Sequence, residues 1–166
     1  MSVAASSFYL TELLRNGAIS LRLASTKRDG VLDELLGFIP EIKDNPAARS
    51  ALLKALKERE QMHSTSLGDG VAIPHARNAL PGLVQRAFIV FGRQPEGVPF
   101  NALDGQPVKL FFLIISPTVT QHLDILARLS RILRNPALRK NLLHAEKPER
   151  VLAIVREAEA NAQFAR

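Results

Sequence analysis

Cysteine is absent from the 166 residues, and with it go disulfides, thiolate metal sites and cysteine nucleophiles. That absence agrees with a cytoplasmic address. Long apolar runs are missing too: the longest, Leu110 to Ile115, is far shorter than the ~18 residues that a bilayer-crossing helix needs. No membrane insertion is expected. Met1 to Tyr9 lacks the charged start and apolar centre of a secretory signal, so the chain is expected to stay where it is made. Tryptophan is absent and there is one tyrosine, which leaves little for stacking nucleic-acid bases. No GxGxxG, P-loop or GxSxG element occurs, which removes dinucleotide-binding, Walker-type and α/β-hydrolase chemistry. HExxH and other close ligand pairs are missing as well, so neither a metal nor a diffusible cofactor is expected.

Apolar residues make up 46% of the chain, enough for one ordinary core, and a single domain over residues 1–166 is expected. Basic residues outnumber acidic ones by 22 to 16, a formal charge of +6 that favours phosphate-bearing or acidic partners. The pattern reads as a helix over Thr11 to Asn16, a strand over Ala18 to Leu23, and helices over Asp29 to Ile42 and Pro46 to Met62. From Gly70 the texture changes: Val71 to Ile73, Arg86 to Phe91 and Val108 to Ile115 are short and rich in Val, Ile and Phe, as buried strands are. Helical periodicity returns after Ser116-Pro117, through Leu123, Leu126, Leu129 and Leu133, then Leu138 to Leu143 and Val151 to Val155. Ser116 as N-cap with Pro117 at the first helical position starts the first of these helices, unless Thr118 or Thr120 caps it instead. The small, polar tail from Glu157 to Arg166 is expected to fray. Strands mixed with helices of this length imply an α/β domain whose sheet is covered on both faces.

Without cysteine, nucleophilic and acid–base work falls to four histidines, the hydroxyls and the carboxylates. His144 lies in a Lys-rich helical stretch and His63 directly follows a helix; both suit a helix-terminus role. His75 closes Gly68-Asp69-Gly70-Val71-Ala72-Ile73-Pro74-His75, a glycine turn, a short apolar strand and a proline. Pro74 fixes its own φ and biases Ile73 towards extended geometry, so the ring stands at a stiff strand end. It is either a nucleophile presented at a sheet edge or a histidine hydrogen-bonded at the end of a buried strand. His122 follows the strongest strand and falls near a helix's positive end, as an anion site or as a plain first-turn residue. Arg128, Arg131, Arg134, Arg139 and Lys140 form a basic stripe at roughly helical spacing. That stripe is either a solvated face or the surface of a binding module, for nucleic acid or an acidic protein, without phosphotransfer.

The segment Gly68 to Arg77 resembles the active-site region of the fructose/mannitol-type (type 2) enzyme IIA domain of the bacterial phosphoenolpyruvate-dependent phosphotransferase system, most closely its nitrogen-regulatory branch. Further matches keep order and spacing: Arg59-Glu60 with Met62 and Ser64-Thr65 upstream, Leu103 to Val108 before the long strand, and His122-Leu123 running into Leu126 to Ser130. They span roughly Leu10 to Val155. The resemblance implies a single α/β domain, core about 10–155, with a mixed five-stranded sheet flanked by helices. It also implies a phosphocarrier, in which His75 accepts a phosphoryl group from the phosphorylated histidine of HPr or its nitrogen-branch relative. Arg59 and His122 match the family's two supporting positions, with Ser64 and Thr65 orienting that shell. The partners so implied are the HPr-like donor and either regulatory proteins or a IIB component, as in a sugar-specific IIA. Nε2 is the nitrogen that the family implies. Asp69 either raises the pKa of His75 or serves as a turn residue between glycines.

Overall fold

The computed structural model describes residues 8–77 and 82–164. In chain order these form α1 (Leu10–Asn16), β1 (Ala18–Ser20), α2 (Arg28–Leu36), α3 (Pro40–Lys43), α4 (Pro46–Met62), β2 (Ser66–Gly68), β3 (Val71–Ala72), β4 (Phe88–Val98), β5 (Val108–Ile115), α5 (Val119–Ile132), α6 (Pro136–His144) and α7 (Pro148–Phe164). The strands make one mixed sheet in the order β1-β4-β5-β3-β2. Pairing is parallel for β1 with β4 and for β3 with β5, and antiparallel for β4 with β5 and for β2 with β3.

Both faces of the sheet are covered, and the alternation of side chains along the two long strands explains how. Phe88 and Val90 of β4, with Phe111, Leu113 and Ile115 of β5, pack against Leu32, Leu35, Ile42, Leu52 and Leu56 from α2, α3 and α4. Their neighbours Ile89, Phe91, Leu110, Phe112 and Ile114 face α1, α5, α6 and α7 instead. A period of two, apolar on both sides, is what a strand buried on both faces must have. Each face has its own ring contact: Phe91 meets Phe112 edge-on at 5.2 Å on one, and Phe100 meets Phe111 likewise at 5.3 Å on the other.

Several expected boundaries shift. The stretch Asp29 to Ile42 is two helices, because Gly37 ends the first and Pro40 holds Ile39 extended before starting the second. β1 stops at Ser20 rather than Leu23, although the Leu23 N–H still reaches the Arg93 carbonyl at 2.8 Å. β2 had no apolar pattern to announce it; its residues are an edge hairpin made by the Gly68-Asp69-Gly70 turn, where all three φ values are positive. The tail does not fray at Glu157: α7 continues to Phe164. Glu159 holds it down, buried and accepting from the Leu10 N–H and from the Arg128 guanidinium.

Candidate functional site

β3 and β5 run parallel, so their carboxyl ends lie side by side, the usual place for a site in an α/β sheet. His75 stands there, two residues past Ile73, in a parallel bridge to Ile114. The Ile114 N–H donates to the Pro74 carbonyl at 3.0 Å, which pins the segment to β5. Just beyond β5 the chain turns into α5, where Thr118, not Ser116, is the N-cap and its hydroxyl accepts from the Gln121 N–H at 3.3 Å. His122 therefore falls in the first turn of α5, and its ring centroid lies 5.3 Å from that of His75, tilted by 59°. The two rings, 47 positions apart in sequence, share one site because two neighbouring strands end together.

The tautomer of His75 can be read from its surroundings. Its Nδ1 lies 2.6 Å from the Ile73 carbonyl, an acceptor only, so Nδ1 carries the proton and Nε2 keeps a free lone pair. Burial pulls the pKa of this ring down from 6.5 to about 4; the Ile73 carbonyl opposes that, while the Arg59 charge and His122 add to it. Burial also lowers His122, which is 5% exposed. Among the described residues no hydrogen bond is made to the His122 ring.

Arg59 comes from the last turn of α4 and donates to the His63 carbonyl at 2.6 Å, steadying the helix exit while its charge bears on His75. Ser64 and Thr65 follow, but their hydroxyl protons are spent on the scaffold. The Ser64 hydroxyl donates to the Phe100 carbonyl at 2.7 Å, and that of Thr65 donates to the Glu60 carboxylate. Glu60 is the residue that sequence reasoning passed over. It is 5% exposed, its carboxyl is pushed up by burial, and Thr65 bonds, Arg59 and Arg28 oppose that push. An acidic residue in the last turn of a helix gives no sign from spacing alone that it turns inward.

Asp69 is a turn residue. It sits at φ +56°, its N–H donates to Asp104 at 2.9 Å, and its carboxylate lies 3.6 Å from Arg139. The groups acting on His75 are the Ile73 carbonyl, Arg59 and His122, and Asp69 is not among them. His63 is the C-cap of α4, and His144 ends α6 with its Nδ1 on the Lys140 carbonyl at 2.8 Å, as helix-terminus histidines. The basic stripe is divided: Arg128 and Arg139 are half-buried, while Arg131, Arg134 and Lys140 are exposed. Arg128 pairs with Glu159 and covers the Phe8 ring, Arg131 donates to the Ala162 carbonyl, and Arg139 donates to the Leu133 and Arg134 carbonyls. Among the described residues no three His, Asp or Glu side chains gather at metal-binding distance, and no helix is long and apolar enough to cross a membrane.

Residues 12–158 match the family model described as phosphoenolpyruvate-dependent sugar phosphotransferase system, EIIA 2. The chain is 36% identical over 153 residues to the fructose-specific EIIABC component of Bacillus subtilis, a match covering 89% of this chain but 23% of that protein. It is 32% identical over 148 residues to a nitrogen regulatory protein of Bradyrhizobium diazoefficiens, covering 88% of this chain and 94% of that one. The crystal structure of the nitrogen regulatory protein IIA-Ntr from Neisseria meningitidis superposes with a TM-score of 0.73 at 29% identity, over 88% of this chain and 98% of that one.

Proposed function

This chain belongs to the EIIA type 2 family of the phosphoenolpyruvate-dependent sugar phosphotransferase system, and from that premise we propose that it carries a phosphoryl group on His75. The observation that carries the reading is the His75 ring itself. Its Nδ1–H is tied to the Ile73 carbonyl, which leaves a neutral Nε2 lone pair beside His122 and under the charge of Arg59. Transfer from the phosphohistidine of HPr, or of its nitrogen-branch relative, breaks the donor's N–P bond as a bond from Nε2 to phosphorus forms. The electron pair of the broken bond returns to the donor ring. The Ile73 carbonyl offsets the positive charge that the His75 ring gains, while Arg59 and His122 neutralise and orient the phosphoryl oxygens. Ser64 and Thr65 support the site through the backbone that they brace.

The role is that of a cytoplasmic nitrogen-regulatory switch, with the phosphorylation state of His75 setting which partner protein is bound, in one domain over residues 1–166. Similarity along nearly the whole length of a nitrogen regulatory protein supports this reading. The higher identity to a fructose-specific component supports a second one, a sugar-specific IIA that donates to a IIB component.

The test is intact-mass analysis after incubation with phosphoenolpyruvate, enzyme I and HPr or its nitrogen-branch relative. Wild type gains one acid-labile phosphate and His75→Ala gains none. Arg59→Ala and His122→Ala still become labelled, but about 100-fold more slowly, the typical loss for one charge-stabilising donor. Label on His75→Ala, or an unlabelled wild type beside an active control IIA, overturns the assignment. Loss of the phosphate to a fructose- or mannitol-type IIB selects the sugar-specific reading.

A further inference from the structure

We propose that Glu60 is a positioning residue for the His75 nucleophile, acting through Thr65 and Ile73 to fix which nitrogen of the ring is free. Glu60 touches neither the ring nor any reacting atom. The inference rests on the phosphocarrier reading only for its consequence on rate.

The connection is continuous. Both carboxylate oxygens of Glu60 are taken by Thr65, one by its N–H at 3.0 Å and the other by its hydroxyl. The Thr65 carbonyl accepts from the Ile73 N–H at 3.1 Å. The Ile73 carbonyl in turn accepts from His75 Nδ1 at 2.6 Å. Glu60, Thr65 and Ile73 are all buried, so water does not compete for these bonds.

The weak point of that chain is the peptide carrying the Ile73 carbonyl. Its nitrogen belongs to Pro74, which has no N–H, so this peptide cannot anchor itself through a donor of its own. Its orientation depends on its two flanks. Downstream, the Pro74 carbonyl is held by Ile114. Upstream, the hold is the Ile73 N–H on Thr65, and Thr65 is fixed at both its N–H and its hydroxyl by one carboxylate. A carboxylate is suited to this because it accepts on both oxygens and donates on neither. An amide in its place either sets its NH2 against the Thr65 N–H or turns it on the Thr65 hydroxyl, which must then reverse and accept, and in both cases the paired hold of the carboxylate is weakened. Burial pushes the Glu60 carboxyl up, against the Thr65 bonds, so this carboxylate is kept in the interior at a cost that those two donors offset.

The experiment uses the full chain and reads two things: 15N shifts of the His75 ring, and the initial rate of phosphorylation by the phosphorylated HPr-like carrier. Wild type shows a protonated Nδ1 and an unprotonated Nε2. Glu60→Gln, checked for a native circular dichroism spectrum, shows the second tautomer mixed in and a rate lowered roughly tenfold, short of the ~100-fold that an ångström of misplacement can cost. Thr65→Ser, which keeps the hydroxyl, keeps the wild-type ring shifts, and shifts of the second tautomer in it overturn the proposal. Adding Thr65→Val to Glu60→Gln loses no more than Glu60→Gln alone, since both act on one contact. Wild-type ring shifts in Glu60→Gln overturn the proposal, whether the rate falls or not. An unlabelled wild type sinks the carrier reading instead, and the ring shifts still decide the role of Glu60.

Discussion

A histidine that attacks phosphorus near neutral pH needs a lone pair that protons do not claim, and the surroundings of His75 provide it twice over. The Ile73 carbonyl decides where the one proton sits, and burial with Arg59 and His122 keeps a second proton away. The sign of the pH dependence follows. With the folded value about 4 and the ordinary value 6.5, the ring stays neutral in the native protein until well below pH 6. As acceptor, His75 holds a flat phosphorylation rate from pH 8 to about 5 and loses it around pH 4, checked by rate profiles and by following the ring in NMR. A midpoint near 6.5 sinks this account. Linkage adds a stability effect: unfolded chains bind the proton first as pH falls, so native stability erodes from about pH 6.5 and the loss from this ring is complete below about 4.

At the scale of elements, the proposed site is a meeting of three places: the adjoining carboxyl ends of β3 and β5, the first turn of α5, and the last turn of α4. Two of the three were legible. Pro74-His75 after a short apolar strand and a leucine-patterned helix after Ser116-Pro117 announce their positions in the sequence, although the cap falls on Thr118 rather than Ser116. The α4 end was less so, because Arg59 and Glu60 are adjacent charged residues of which one serves the site and the other goes into the interior. Close approach of elements sets hard limits elsewhere. A Cβ on Gly17, between α1 and β1, would lie 2.2 Å from the Ile89 carbonyl oxygen of β4. Since that oxygen is backbone in a central strand, Gly17→Ala destabilises the protein by ~3 kcal/mol and lowers Tm by about 6–12 °C, read by thermal denaturation. Phosphorylation at 20 °C stays near the wild-type rate, because α1 and β1 do not reach His75.

For the whole molecule, the first and last helices are locked together through one carboxylate. Glu159 of α7 accepts from the Leu10 N–H at the start of α1, at 2.9 and 3.1 Å, and pairs with Arg128 of α5. Removing it leaves a half-buried guanidinium and a buried N–H without their partner at once. Glu159→Ala therefore costs ~3 kcal/mol, seen as a lower denaturation midpoint and faster hydrogen exchange in α1 and α7. The same contacts bear on the net charge of +6, since Arg128 and Arg139 of the basic stripe are half-buried and bonded within the molecule while Arg131, Arg134 and Lys140 stay exposed.

Local pattern alone settled much of this protein. Alternation in β4 and β5, apolar on both sides, required a sheet covered twice, and the glycine turn followed by strand, proline and histidine required a ring held at a strand end. Those features depend on sterics and periodicity within ten residues, which a sequence carries openly. The order of the strands, the 5.3 Å approach of His75 to His122, and the inward turn of Glu60 and Glu159 were decided only by tertiary structure. They join residues that are distant along the chain, or separate neighbours of like chemistry, and neither spacing nor composition encodes which partner a buried charge will find.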